Sequence, residues 1–146
     1  MRNWFKVEAA ARGGGEISIF GRIGRDGEDD DAVGAQTFIK EFEGLIAKGK
    51  GDVHVRINSG GGNVAEGTAI YNAIRKHKKR VYATIEGIAY SMASVIALAG
   101  RETRIYDGAT MMIHDPLLTV SGNASALSMA IDSLRVATAT LMSAYT

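Results

Sequence analysis

"DVHVRINSGGGNVAEGTAIYNAIRKHKK", residues 52–79, decides the fold. Val53, Val55 and Ile57 alternate with His54, Arg56 and Asn58, the two-residue period of a strand with one buried face. After three glycines the period lengthens, and Val64, Ile70, Tyr71 and Ile74 share one face of a helix. Strand, glycine turn and helix make half of a crossover unit, which returns the chain to the next parallel strand with a right-handed sense. The same alternation recurs on both sides. Upstream, "EISIFGRI" (16–23) reads as a strand, and "AQTFIKEFEGLIAKG" (35–49) as a helix with Phe38, Phe42, Leu45 and Ile46 inward. Downstream come a strand "RVYATIEG" (80–87) and a buried helix over 91–99. Two short strands in "ETRIYDGATMMIH" (102–114) flank the Asp107–Gly108 turn. A long helix follows from an Asn123 cap. The expectation is a single α/β domain over residues 16–146 behind an N-terminal arm, 1–15, that ends in "GGG".

Bulk properties narrow the function by exclusion. A chain of 146 residues suits one domain with a real core. With 17 Lys and Arg against 16 Asp and Glu, net charge is +1, so neither nucleic acid nor an acidic membrane surface is called for. The absence of cysteine removes disulfides, a thiol nucleophile and thiolate metal sites. "GEDDD" (27–31) reads as a solvated loop, since neighbouring carboxylates form no metal cage, and no metal or cofactor is expected. The uncharged run 87–100 is too short to cross a bilayer, and the first residues lack the apolar core of a signal peptide. A soluble, cytoplasmic protein is the expectation.

Two stretches depart from ordinary α/β packing. The first is "INSGGGNVAEG" (57–67) between strand and helix. It lacks both the dinucleotide and the P-loop glycine spacing. What remains is either a tight turn or a loop offering bare N–H groups to a developing negative charge. The second is "GIAYSMASVIALAG" (87–100), where Ser91 opens a run of small and apolar residues. Ser91 reads as a helix cap or as a nucleophile next to the Met92 N–H, and a nucleophile needs a base. Of the three histidines, His54 reads as a half-buried strand residue. His77 lies in the basic run "RKHKKR" (75–80), a solvated helix end rather than a nucleic-acid patch. His114 ends an apolar strand, where a base serving Ser91 could sit. Ser94 reads as a helix-packing residue.

Taken in order, "INSGGGNV", "GIAYSMAS" and "MMIHDPL" resemble the proteolytic subunit of Clp-type serine peptidases, over residues 16–146. The texture of "VRINS" and "ASVIA" is most similar to the phage and prophage branch associated with capsid maturation. This resemblance implies a spiral of ββα units, shared with crotonase-like enzymes, and an acyl-enzyme mechanism that consumes no ATP itself. It makes Ser91 the nucleophile, His114 the general base, and the N–H groups of Gly62 and Met92 the oxyanion hole. Gly61, Leu117, Leu118 and Thr119 would line the substrate groove, with "LLTVSG" (117–122) and the next helix as the family's handle. The implied partners are a polypeptide substrate, further copies in a ring that can stack on another ring, and an unfoldase or capsid proteins. The setting would be a bacterial host cytoplasm or a phage prohead. Three departures accompany the likeness. Gly60 stands where the family usually has proline, which suggests a looser loop, and Tyr90 replaces a small residue. No carboxylate aligns with the triad aspartate. Asp115 adjoins His114 but points to the opposite face of a strand, and Asp132 reads as solvent-facing, so the acid is expected in sequence following Thr146. The rival readings are a catalytically silent ring subunit and a crotonase-like acyl-CoA enzyme. A Ser–Lys peptidase finds no lysine in either motif.

Overall fold

Alternation in residues 53–57 is realised as burial: Val53, Val55 and Ile57 are fully enclosed, while His54 and Arg56 are only half-buried. A computed structural model describes residues 6–11, 14–27, 30 and 32–146. In chain order the elements are β1 (Val7–Ala9), β2 (Gly15–Ile23), β3 (Ala32–Val33), α1 (Ala35–Ala47), β4 (Val53–Gly62) and α2 (Val64–Lys76). A 3₁₀ turn (Lys78–Arg80) leads to β5 (Val81–Tyr90), α3 (Met92–Ala97), β6 (Glu102–Ile105), β7 (Thr110–Met112) and α4 (Ala124–Met142). Contacts divide the chain into two compact units, residues 1–113 and 114–146.

The first unit is built on a mostly parallel sheet in the order β1-β2-β4-β5-β6. The short strand β3 runs parallel to β2, and only β1 is antiparallel. The parallel register sets Ile17 beside Val55 and Val55 beside Ala83, so one face is continuously apolar. Phe38 and Phe42 of α1, stacked at 5.8 Å, join Ile70 and Ile74 of α2 and the α3 residues in the core. The opposite face is polar and internally paired. Arg56 of β4 binds Glu86 of β5 through two nitrogens at 2.6 and 2.8 Å, and Glu16 of β2 at 2.9 Å. His54 bonds Glu16 at 3.1 Å and Thr84 at 2.8 Å, and stacks on Tyr82.

Several sequence expectations are refined here. Within the stretch expected to be an arm, Val7–Ala9 form an edge strand on β2, and residues 1–5 and 12–13 lie outside the described residues. Of the acidic run, residues 28, 29 and 31 also lie outside them. The glycine run is not a loop, because β4 continues through Gly62 with Gly61 paired to Arg22 and Gly62 to Ile23. Gly61 (φ +88°) and Gly62 (φ +146°) take conformations that side chains rarely allow, which lets the strand bend while staying paired. β6 and β7 do not fold back on each other; both run parallel to β5, one after the other. The basic run is only partly solvated. His77 bonds Glu43, and Arg80 donates to the carbonyls of Ile46, Gly49 and Gly51, tying the end of α1 to the start of β5.

The second unit begins with an irregular segment, 114–123, and continues as α4. Asn123 caps that helix as expected, its side-chain oxygen accepting from the Ala126 N–H at 3.0 Å. Asp132 is exposed and pairs with Arg135.

Candidate active site

Strand β5 runs three residues past the expected end at Gly87 and stops at Tyr90, directly before Ser91. Asn58 helps it do so, since its side-chain oxygen accepts from the Ile88 N–H at 3.2 Å where Gly87 leaves space for it. Ser91 then turns the chain into α3 with φ 53° and ψ −124°. Among the described residues it is the one non-glycine with positive φ. Such a conformation costs on the order of 1–3 kcal/mol and persists only where its surroundings over-determine it.

Ser91 occupies the N-cap position of α3, yet its side chain makes no cap hydrogen bond. The hydroxyl is therefore not engaged in the role that a serine at a helix start usually has. The backbone is held instead. The Ser91 N–H donates to the Met112 carbonyl of β7 at 2.8 Å. Its carbonyl accepts from the Ser94 N–H at 3.0 Å and from the Ser94 hydroxyl at 2.5 Å. A strained turn between a strand and a helix is a geometry that presents a serine hydroxyl clear of its own backbone.

The glycine strand closes the other side of this turn. A methyl group on Gly61 would stand 2.5 Å from the Tyr90 carbonyl oxygen, 2.8 Å from the Ser91 β-carbon and 3.0 Å from the Met92 nitrogen. Gly62 faces the other way along the ladder, where a methyl would meet the Ile23 carbonyl oxygen at 2.0 Å. Ser59, buried among apolar neighbours, pins the bend: it donates to the Gly21 carbonyl at 2.6 Å and accepts from the Gly61 N–H at 3.1 Å. Gly60, where a looser loop is expected, has open space around it and lies within the strand. Met92 is buried and lays its side chain against Gly67 of α2, leaving no room for a β-carbon there. The Tyr90 phenol is anchored to Thr110 of β7 at 2.9 Å, so it packs along the sheet.

Gly61, Ser91 and Met92 are thus brought together, with Gly62 next to them in β4. His114, Leu117, Leu118 and Thr119 belong to the second unit, where all four are exposed. The His114 Nδ1 lies 2.6 Å from the main-chain carbonyl of Asp115. A carbonyl only accepts, so this contact places the proton on Nδ1 and leaves a lone pair on Nε2 of the neutral ring.

Sequence reasoning missed the part played by Ser59 and Ser94. Both could have been marked. Ser59 continues the inward series Val53, Val55, Ile57, and a hydroxyl at an inward strand position has to find a partner. Ser94 is the one hydroxyl within α3 and is fully buried.

Residues 26–146 match the Clp protease family. The chain is also 30% identical over 135 residues to the ATP-dependent Clp protease proteolytic subunit of Ligilactobacillus salivarius (strain UCC118), covering 86% of this chain and 68% of that one. With an α/β fold of mostly parallel strands in agreement, the chain belongs to the Clp protease family and is a peptidase homologue.

Proposed function

We propose that this chain is a serine endopeptidase subunit that cleaves polypeptide through an acyl-enzyme, with Ser91 as nucleophile and His114 as general base. The observation that carries the reading is the Ser91 turn, with its strained backbone and its hydroxyl free of any cap bond. Ser91 Oγ adds to the peptide carbonyl while His114 Nε2 takes its proton. The C–N bond then breaks as that proton passes to the leaving amine, and water activated by the same nitrogen releases the acyl group. The Nδ1–H tautomer held by Asp115 supports this, because it leaves Nε2 able to accept. The N–H groups of Gly62 and Met92 would stabilise the tetrahedral oxyanion, each worth about 10²–10³ in rate. This chemistry is complete without a metal or cofactor.

An extended substrate strand would lie along Gly61, Leu117, Leu118 and Thr119, recognised mainly through its backbone. Leu117 and Leu118 are 85% and 52% exposed, and Met129, Ile131 and Val136 of α4 also face outward. Large apolar side chains left exposed in that number mark a segment that meets a partner, which supports assembly into a homo-oligomeric ring able to stack. The phage-like texture of "VRINS" and "ASVIA" supports capsid, scaffold or unfolded protein as substrate, in a host cytoplasm or prohead. The word ATP-dependent in the relative's name supports an unfoldase partner.

The test is fluorophosphonate labelling with mass mapping of the assembled chain, of its Ser91→Ala variant, and of a form extended past Thr146. Label on Ser91, lost in Ser91→Ala and strongest in the extended form, is the expected result. No label on Ser91 in any folded, assembled form would leave the silent ring subunit or the acyl-CoA enzyme as the better account.

A further inference from the structure

We propose that Ser94 is a positioning residue whose buried hydroxyl aims the Met92 N–H, by holding the carbonyl at the other end of the same peptide plane. The inference rests on reading Ser91 as the nucleophile. The Ser91–Met92 peptide is trans and planar, so the direction of the Ser91 carbonyl fixes that of the Met92 N–H. In a helix interior, one N–H per carbonyl suffices, and rotation of the plane is limited by neighbouring turns. Here the plane sits at the junction of a positive-φ residue and the first residue of α3, where no preceding turn restrains it. Ser94 supplies that restraint. Its N–H reaches the Ser91 carbonyl at 3.0 Å and its hydroxyl reaches the same oxygen at 2.5 Å. Two donors of one residue fix the direction of the carbonyl as well as its distance. Ser94 is 0% exposed, between Ala93 and Val95 that are also buried, so bulk water has no direct access to replace a missing hydroxyl.

The Met92 nitrogen lies beside the glycine strand, 3.0 Å from where a Gly61 β-carbon would stand. A plane freed to rock would misdirect the N–H without disturbing how a substrate backbone docks. Loss of the Ser94 hydroxyl therefore acts on the chemical step. Misplacement of a reacting geometry by about 1 Å costs up to ~10²-fold, and we expect at least a tenfold loss.

The experiment compares the full assembled chain with Ser94→Ala, Ser91→Gly and the double variant. Fluorophosphonate labelling rates and, on a fluorogenic peptide, kcat and KM are measured on the first two. Ser94→Ala is expected to label Ser91 at least ~10-fold more slowly, with kcat lowered and KM unchanged. Thermal midpoints of all four forms complete a cycle. Glycine at position 91 tolerates positive φ, so Ser94→Ala should lower the midpoint much less in the Ser91→Gly background, and should fold there even if it fails alone. Equal labelling by wild type and Ser94→Ala overturns the positioning role and leaves the peptidase reading standing. So does an equal drop in midpoint in both backgrounds, or an effect on KM alone. A wild type that never labels at Ser91 overturns both.

Discussion

Ser91 and Gly61 constrain each other at a distance that admits no added atom. Gly61→Ala places a methyl within 2.8 Å of the Ser91 β-carbon and asks an alanine to adopt φ +88°. We expect a loss of about 2–4 kcal/mol, read as a lowered urea midpoint, and a fall of ~10²-fold or more in Ser91 labelling. Gly60→Ala is the control one residue away. It meets nothing within 4 Å, and its stability should stay within about 0.5 kcal/mol of wild type. If the two variants behaved alike, close approach of the glycine strand to the turn would be irrelevant. The contrast also shows where sequence reading stops. Three consecutive glycines mark a place where backbone must come close to something, and that was legible. Which of the three makes the approach depends on a register shift between Ile57 and Ser59, set by a strand that comes later in the chain.

At the scale of elements, helix ends are joined through caps that depend on one another. Asn63 caps α2 by accepting from the Glu66 N–H at 3.1 Å, and the Glu66 carboxylate accepts from the Ala35 N–H at the start of α1, at 2.8 Å. Asn63→Ala should cost about 1 kcal/mol. Combined with Glu66→Ala it should fall short of the sum by at least about 0.5 kcal/mol, because the first change already loosens the residue removed by the second. Strict additivity in thermal unfolding would argue that the two caps are independent. The existence and order of the long strands and helices were readable from periodicity, though β1 and β3 were not, and so was the Asn123 cap, whose signal lies within a few residues. The extension of β5 to Tyr90 was not. Gly87 breaks the local pattern, and the pairing that restores it comes from Thr110–Met112 on one side and the Asn58 side chain on the other. Glu66 as a cap for α1 was hidden for the same reason, since the two residues are far apart in sequence.

Across the whole sheet, the polar face carries a charge network that ties β2, β4 and β5 together. Hydrogen bonds from Arg56 hold the Glu86 carboxyl below its ordinary value of 4.5, and the same bonds make Arg56 harder to deprotonate than usual. A lowered folded value means that Glu86 contributes stability above about pH 4.5, and that this is lost as pH falls through the folded value. Glu86→Gln should therefore unfold more easily at pH 7, by about 1–3 kcal/mol, and its urea midpoint should decline less steeply on acidification below pH 4.5. A variant with an unchanged acid slope would place the acid sensitivity elsewhere. That this face is polar was plain in the alternation of residues 52–58; that its charges close on one another across three strands was not, because pairing in a parallel sheet is non-local. The same non-locality governs when the Ser91 turn can exist. A chain leaving the ribosome amino end first exposes the glycine strand and Ser91 before β7 has been synthesised. Until Met112 emerges, the Ser91 N–H lacks its carbonyl and the turn is missing one of the bonds that hold its strain. If Ser91 is the nucleophile we propose, its hydroxyl is thus left unarmed while its own chain is still unfolded beside it.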